Sequence, residues 1–390
     1  MLDERPLRVL HVIESLAEGG AELNLLTMVR SLPAPAYEHH LAWLYADDRL
    51  LPSFAPHVAS VLAMRAARGL GLVRAARVLA RHIRRLRPDV VSAKLIRAQL
   101  VARAATTWAG GTPSVSTWEC VSYTPDMYEL GWRSPWLRRI TWLLDVATGW
   151  KDARIVAVSQ EVAKRNAKVL HVDPSRVTVV YNGVDLARIM DLAEGTRSAL
   201  RRELGVAPQD PLLLSVGRLV NQKDHATSIR AMKGIVAACP GAVLAIAGGG
   251  PLMAELQAMV STLGLDAHVR LLGARSDVPA LLRAADLFVF SSIYEGLGIA
   301  LMEALATGLP AVASRIATTE EVADGSPAVR YFETGNAESL AMTAIDALQR
   351  LSSFTESARA GASRIRERFA PAAMAHGYDA VFRAAAGARA

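Results

Sequence analysis

Short apolar runs alternate with longer amphipathic stretches along most of this chain. In the first half, the runs predict buried strands over Leu7–Ile13, Leu41–Tyr45, Val58–Ala63, Val90–Ala93, Val115–Thr117, Ile155–Val158 and Val177–Tyr181. In the second half, they predict strands over Leu212–Val216, Ala242–Ala247, Val269–Leu272, Leu287–Phe290 and Ala311–Ala313. Buried strands that alternate with helices are typical of parallel sheets covered by helices on both faces. The pattern therefore predicts an α/β fold.

The chain is long enough for two such domains. It has 390 residues, whereas a single domain usually holds about 100–200. A polar stretch without a strand pattern, Asp191–Gln209, separates the two series of strands. We therefore predict one Rossmann-like domain over residues 1–188 and a second over residues 189–368.

Composition excludes several classes of protein. Hydrophobic residues make up 52% of the chain and charged residues 21%, which excludes a disordered protein. Cys120 and Cys239 are the only cysteines, so a disulfide scaffold is excluded and a reduced compartment is favoured. Met1–Arg8 carries both charge signs and does not resemble a secretory leader, and no apolar stretch is long enough to span a bilayer. These features predict a cytoplasmic protein.

Positive charge is concentrated in one region. The net charge is +7, and eleven Lys or Arg residues occur between Arg65 and Arg103 against one acid, Asp89. Such a surface attracts anionic lipid, nucleic acid or phosphorylated substrates. A solvated helix face explains the same pattern. No nucleic-acid-binding module accompanies the run, so we expect no nucleic-acid partner.

Tryptophan is concentrated just after this basic region. Residues 118–150 hold five of the seven tryptophans, interleaved with Arg133, Arg138, Arg139 and Lys151. This composition suits a segment at a lipid surface, and it also suits an ordinary amphipathic helix that covers the sheet. Both interpretations stay open at this point.

The clearest candidate site is the stretch from Ser291 to Ala304, which follows a predicted strand and leads into a helix. Its glycines permit a tight turn with exposed amides at the helix start, an arrangement that binds anions. Glu295 falls in the loop and Glu303 falls in the helix. Two carboxylates so placed could accept hydrogen bonds from the hydroxyls of a sugar and a ribose.

Other strand ends carry further candidate residues. Arg218 and Lys223 follow a predicted strand, where they would pair with phosphate oxygens. The Gly248–Gly250 run would let the backbone approach a ligand, and the amides of Gly19 and Gly20 could reach phosphates. The Gly19-Gly20 turn does not match a P-loop. No Asp-x-Asp pair occurs in the sequence, which favours side-chain cations over a metal ion.

These residues, in this order, resemble the GT-B glycosyltransferases of retaining family 4. The resemblance extends over nearly the whole chain, and it is most specific in the Glu295 to Glu303 block that follows the Arg218 and Lys223 pair. It implies two Rossmann-like domains whose parallel sheets face a central cleft. It also implies a C-terminal helix over residues 369–390 that returns towards the N-terminal domain.

The resemblance implies a role for each matching residue. Arg218 and Lys223 would bind the donor diphosphate, Glu303 the ribose and Glu295 the transferred sugar. Amides would contact phosphate or sugar hydroxyls, and the loop ending at Arg275 would face the base largely through its backbone. The matching residues for these contacts are Gly19, Gly20, Gly249, Gly298, Ile299 and Ala300.

The implied activity is metal-independent, retaining transfer of a hexosyl group from a nucleotide-sugar. A UDP-sugar is favoured and a GDP-sugar is the alternative donor, with no further cofactor. The acceptor would be lipid-linked or a glycan intermediate, reached through peripheral contact with an anionic inner membrane face. A sugar-nucleotide epimerase or phosphorylase of the same fold, and a non-catalytic binding subunit, are the alternatives.

Two positions depart from the resemblance. Many relatives carry histidines after the strands that here end near Lys94 and near Thr117, and this chain has Lys94 and Glu119 at those places. We therefore include Glu119 as a candidate acceptor contact. The sequence does not decide whether Glu119 or Lys94 takes over the histidines' role.

Overall fold

The computed structural model describes residues 5–17, 19–67, 71–123, 134–184 and 195–387. The chain divides into two compact units, Met1–Gly183 together with Ala370–Ala390, and Val184–Phe369. The predicted boundary between residues 188 and 189 lies outside the described residues. We describe each unit by itself.

The first unit is built on a seven-stranded parallel sheet with strand order β3-β2-β1-β4-β5-β6-β7. Its strands are β1 (Leu7–Ile13), β2 (Tyr37–Trp43), β3 (Ser60–Ala63), β4 (Val90–Lys94), β5 (Ser114–Trp118), β6 (Asp152–Ala157) and β7 (Val177–Val179). Its helices are α1 (Gly20–Ser31), α2 (Leu51–Phe54), α3 (Gly71–Leu86), α4 (Ile96–Trp108), α5 (Pro135–Thr148) and α6 (Gln160–Leu170). A last helix, which we number α15 (Pro371–Gly387), also belongs to this unit.

Alternation along β1 explains why helices cover both faces of this sheet. Val9 and Ile13 lie in the hydrophobic cluster that includes α1 and α15. Leu10 and Val12 lie in the cluster formed with α3 and α4. Successive strand residues point to opposite faces, so both faces of β1 are buried, and five of its seven residues are apolar, with Arg8 and His11 the exceptions.

The second unit is built on a six-stranded parallel sheet with strand order β10-β9-β8-β11-β12-β13. Its strands are β8 (Leu212–Val216), β9 (Val243–Ala247), β10 (Val269–Gly273), β11 (Leu287–Phe290), β12 (Ala311–Ser314) and β13 (Val329–Phe332). Its helices are α7 (Thr196–Glu203), α8 (His225–Ala238), α9 (Met253–Thr262), α10 (Val278–Ala284), α11 (Ile299–Ala306), α12 (Ala317–Ala323), α13 (Ala337–Gln349) and α14 (Leu351–Arg368). The predicted α/β fold class with two Rossmann-like domains is confirmed.

Several strand bounds shift by one to three residues, and the largest differences from the predicted pattern are at β2 and β13. β2 begins at Tyr37 rather than Leu41 because His39 and His40 are buried, although they read as polar. The rings of His39 and His11 lie 2.9 Å apart through Nδ1 and Nε2, and burial lowers the pKa of both. β13 was not predicted, because this edge strand buries only part of its length and contains Arg330.

The basic run is only partly a surface feature. Arg74, Arg77 and Arg81 on α3 are exposed, as the solvated-face interpretation requires. Lys94 and Arg103 belong to the same run and are buried. Arg68 lies outside the described residues.

Arg103 joins α4 to α5 and β6 inside the first unit. Its Nε donates to Asp152 Oδ2 at 2.8 Å, and one Nη donates to Asp145 Oδ1 at 2.5 Å. Ser114 Oγ donates to the second oxygen of Asp152, and Tyr123 Oη donates to the second oxygen of Asp145. Each carboxylate is therefore satisfied on both oxygens, which offsets the cost of burying three charges.

We predict that Arg103→Leu lowers the free energy of unfolding of the first unit by about 3–5 kcal/mol, because it leaves two buried carboxylates without a counter-ion. All seven tryptophans lie between residues 43 and 150, so urea unfolding followed by tryptophan fluorescence reports on this unit. Arg165→Leu is the control, since it removes an exposed (i, i+4) pair with Glu161 worth about 0.5 kcal/mol. Equal losses in the two variants would contradict the prediction.

Candidate functional site

The strand order of the second sheet reverses once, between β8 and β11, and the loops diverge there. The chain runs from β8 outward to β9 and β10 on one side, and from β11 outward to β12 and β13 on the other. β8 and β11 are neighbours in the sheet. Open α/β sheets bind ligands at the carboxyl ends of the strands that flank such a reversal. The loops after β8 and β11 hold the predicted Arg218, Lys223 and Glu295.

The structure brings Lys223 and Glu295 together at this point. Lys223 Nζ forms an ion pair with Glu295 Oε1, and Ser292 Oγ donates to the same oxygen at 2.6 Å. The Lys223 side chain is 20% exposed and the Glu295 side chain is 8% exposed. The pair is therefore protected from bulk water while its lysine remains accessible.

Backbone contacts fix the two loops to one another. Ile293 N donates to the Gln222 carbonyl at 2.8 Å, and Gln222 Nε2 donates to the Tyr294 carbonyl at 2.9 Å. Ser291 Oγ donates to the Lys223 carbonyl at 2.8 Å. These bonds tie the lysine to the loop that carries its carboxylate partner.

Helix α11 begins beside this pair. Gly298 is its N-cap residue and has φ of 87°, a left-handed conformation that glycine adopts without a steric penalty. A Cβ at Gly298 would also lie 3.2 Å from the Phe290 ring. The first N–H groups of a helix have no carbonyl partner within the helix, and Ile299 and Ala300 are in this first turn. Glu303 follows in the same helix and is partly buried.

Arg218 lies in the loop after β8, and its side chain is exposed. This loop packs against the glycine run after β9, where Leu219 N donates to the Gly249 carbonyl at 3.0 Å. A Cβ at Gly248 would lie 1.8 Å from the Gly217 oxygen, and one at Gly250 would lie 2.4 Å from the Leu219 oxygen. At Gly249, an added Cβ would meet nothing closer than Ala274 at 3.7 Å. Gly248 and Gly250 are therefore required by packing, whereas Gly249 is not.

His225 begins α8 behind the same loop. One ring nitrogen lies 3.3 Å from Ser215 Oγ and the other lies 3.3 Å from the Gly217 carbonyl oxygen. Burial lowers the pKa of His225 to about 4, with a smaller contribution from the charge of Lys223. The imidazole is thus neutral at pH 7 and holds the loop without adding charge beside Lys223.

Arg275 lies in the loop after β10, and its guanidinium is already engaged. It donates to both oxygens of Asp277, at 2.7 and 2.6 Å, and to Glu203 Oε1 at 3.0 Å. These hydrogen bonds raise the pKa of Arg275. The guanidinium is thus occupied by Asp277 in its own loop and by Glu203. A contact between this loop and a base would have to come from the backbone.

The first sheet reverses between β1 and β4, and predicted residues lie there as well. Gly19 is the N-cap residue of α1 and Gly20 is its first residue. A Cβ at Gly19 would lie 2.4 Å from Glu22 Oε2. Ser15 Oγ donates to Glu22 at 3.2 Å, and burial raises the pKa of that carboxyl group.

Lys94 and Glu119, which lie at or near the places where the resemblance leads one to expect histidines, form an ion pair. Lys94 Nζ lies 2.5 Å from Glu119 Oε1, and it also donates to Asn24 Oδ1 at 3.1 Å and Tyr378 Oη at 3.2 Å. The side chains are 1% and 7% exposed. Burial alone would lower the pKa of Lys94, but the Glu119 carboxylate and Tyr378 together more than offset it and the net shift is upward. Lys94 is therefore a fixed, buried cation.

Sequence reasoning missed three partners in these clusters. Ser292 was within the Ser291 to Ala304 block without a role of its own, while Asn24 and Tyr378 come from helices far away in the sequence. Only the fold brings them to the charged pairs. Among the described residues, no group of three or more His, Cys, Asp or Glu side chains is placed to hold a metal ion.

Two family models match the chain. Glycosyltransferase Family 4 matches residues 18–188 and Glycosyl transferases group 1 matches residues 196–360. The chain is 34% identical over 176 residues to the Escherichia coli UDP-Gal:alpha-D-GlcNAc-diphosphoundecaprenol alpha-1,3-galactosyltransferase, covering 44% of this chain and 45% of that protein. It is 31% identical over 240 residues to D-inositol 3-phosphate glycosyltransferase 2 of Catenulispora acidiphila, covering 58% and 56%. The chain thus spans about half the length of these relatives.

Solved structures share the fold over nearly the full length. The structure of Anabaena Alr3699/HepE in complex with UDP and glucose aligns with a TM-score of 0.83 at 20% identity, covering 97% of this chain and 99% of that one. Since each half matches a glycosyltransferase family model and the fold is shared, the chain belongs to the GT-B glycosyltransferases of family 4, with a group 1 region in its second half.

Proposed function

We propose that this protein transfers a sugar from a nucleotide-sugar donor to an acceptor and retains the configuration at the anomeric carbon. The observation that carries the proposal is the Lys223–Glu295 ion pair at the reversal of the second sheet. A cation and a carboxylate thus lie close to the start of α11, which supports a site for a phosphorylated sugar. We favour a UDP-sugar because the E. coli relative is named for UDP-Gal and HepE was solved with UDP-glucose.

Each donor contact in this proposal follows from position and charge. Arg218 and Lys223 bind the diphosphate, Glu295 accepts from sugar hydroxyls, and Glu303 accepts from the ribose. Backbone atoms make the remaining contacts, with the first-turn amides of α11 on phosphate or sugar oxygens. These remaining positions are Gly19, Gly20, Gly249, Arg275, Gly298, Ile299 and Ala300.

In this scheme the ammonium group of Lys223 is oriented before the donor binds, because it already pairs with the Glu295 carboxylate. The ammonium group of Lys223 would then contact the bound diphosphate and Glu295 at the same time. The Glu295 carboxylate would keep the lysine oriented towards the phosphate. Ser292 keeps Glu295 in place from the other side through its bond to Oε1. Preorganised cations of this kind stabilise charge without reorganising during the reaction.

The chemistry breaks the bond between the anomeric carbon and the diphosphate oxygen, and the bonding electrons leave with that oxygen. Arg218, Lys223 and the α11 amides stabilise the charge that develops there. The acceptor oxygen forms its bond to the anomeric carbon on the face that the diphosphate leaves. Its proton passes to the departing phosphate oxygen, so no protein base is required.

We further propose that the acceptor is lipid-linked or a growing glycan, and that the protein acts in the cytoplasm at the inner membrane face. The E. coli relative is named for a diphosphoundecaprenol acceptor. Metal independence also belongs to the proposal, with Arg218 and Lys223 supplying the positive charge. None of the helices in the described ranges combines the length and apolar composition that crossing a bilayer requires.

We predict that one of UDP, GDP, ADP, TDP or CMP raises the melting temperature of the protein, with UDP the expected hit. A ligand that binds the folded state at about 100 times its Kd stabilises it by about 2.7 kcal/mol. The shift should be lost in Arg218→Ala and Lys223→Ala, which should also slow sugar transfer about 10²–10³-fold.

Exposed cations on α8 provide matched controls. Arg230→Ala and Lys233→Ala also remove one arginine and one lysine from the second unit, but from helix α8 rather than from the loop after β8. Both variants should therefore keep the full nucleotide-induced rise in melting temperature. A full shift in Arg218→Ala and Lys223→Ala would refute the donor site. Release of free sugar without an acceptor would instead indicate an epimerase-like reaction.

We predict that Glu119→Gln leaves the nucleotide shift unchanged and lowers transfer about 10²-fold, as expected for loss of one positioned charged contact. Two measurements check this prediction. One is the change in melting temperature with UDP, and the other is the rate of sugar transfer to the diphosphoundecaprenol-linked sugar in the name of the E. coli relative. The double variant Lys94→Gln/Glu119→Gln controls for folding, because removing both charges avoids an unpaired buried cation. Wild-type transfer by the double variant would exclude a role for Glu119.

A further inference from the structure

Helix α5 has an inverted distribution of polar and apolar residues. Its buried side carries Asp145, which pairs with Arg103 and accepts a hydrogen bond from Tyr123. Trp142 is partly buried and donates to the Val169 carbonyl at 3.0 Å, whereas Trp136, Ile140 and the leucines of the helix face outward. Among the residues that the structure describes, the Asp145 contacts and the Trp142 bond to Val169 hold the helix to the first unit, and its other large apolar side chains stay exposed.

The outward residues form one continuous stripe. Trp136 is 74% exposed, and four other large side chains on α5 are between 49% and 59% exposed: Leu137, Ile140, Leu143 and Leu144. Spacings of three and four residues place them on one side of the helix. Trp150, in the 3₁₀ turn directly after α5, is 67% exposed.

This clustering is particular to α5 in the first unit. The other exposed large hydrophobic residues that the structure describes there lie singly on separate elements: Leu23, Val61, Val73 and Trp108. Single exposed hydrophobic residues are normal on a protein surface, whereas a contiguous patch marks an interaction site. The stripe on α5 therefore requires a partner.

The charges around the stripe identify the kind of partner. Arg139 and Lys151 lie on or next to α5, and the one acid of the helix, Asp145, is buried and paired. Arg138 and Arg139 line a surface hollow together with Trp136. The flank of the stripe is thus cationic, which suits an anionic surface and opposes a second copy that would present the same cations.

We propose that α5 docks in the headgroup region of an anionic membrane, with its apolar stripe inserted and its basic residues on lipid phosphates. Helices with an apolar face and a basic flank lie in this way at bilayer interfaces. Helix α3, which packs on α4 next to α5, adds exposed arginines. The proposal concerns a surface of the first unit and does not depend on the donor site.

The test is co-sedimentation of the full chain with vesicles. We expect binding to phosphatidylglycerol-rich vesicles at low salt and little binding to phosphatidylcholine vesicles. Ile140→Ser/Leu143→Ser should weaken the binding by about tenfold or more, because two aliphatic side chains lose their insertion. Arg139→Gln/Lys151→Gln should weaken it by about fivefold per charge.

The matched control is Val61→Ser/Met342→Ser, which removes two exposed hydrophobic residues outside α5 and should bind vesicles like the wild type. The α5 variants should also keep the UDP-induced melting shift, so a failed donor site and a failed membrane site give different results. The proposal is overturned if the wild type does not sediment with anionic vesicles, or if Ile140→Ser/Leu143→Ser sediments with them as strongly as the wild type does. It is also overturned if light scattering shows a dimer that this variant dissociates, since a second copy would then cover the stripe.

Discussion

The carboxyl ends of parallel strands are the constraint on which the candidate chemistry depends. Each sheet reverses its winding between two neighbouring strands, β1 and β4 in the first unit and β8 and β11 in the second. At each reversal the loops on either side depart in opposite directions, which leaves space at the strand ends. The strand ends at both reversals carry a lysine that pairs with a glutamate from another strand end, as Lys94–Glu119 and Lys223–Glu295.

The two pairs differ in burial, and burial decides what each can do. Lys94 is fully buried and also bonded to Asn24 and Tyr378, so exchanging Glu119 for a ligand would leave a costly buried cation. Lys223 is partly exposed, so a phosphate could reach it while Glu295 stays in contact with it. We therefore propose that the first pair positions groups and that the second binds and stabilises charge.

Much of the fold could be predicted from the sequence because strands covered on both faces read as mostly apolar runs. β1, β8 and β11 were predicted with the bounds that the structure gives. The start of β2 was wrong because His39 is buried as a neutral side chain, which a polarity pattern treats as surface. β13 was not predicted because only Val329 and Phe332, at the two ends of this edge strand, are buried.

The candidate site was predictable only as far as it is local in sequence. Loop residues after a strand lie close to their own strand end, so Lys223 and Glu295 could be proposed, but their contact depends on β8 lying next to β11. The same limit explains the basic run, where Arg103 was counted as surface charge. Its two carboxylate partners follow it by more than 40 residues, and they turn the polar side of α5 inward. A hydropathy pattern assigns the apolar side of a helix to the core, and here a buried charge cluster reverses that assignment.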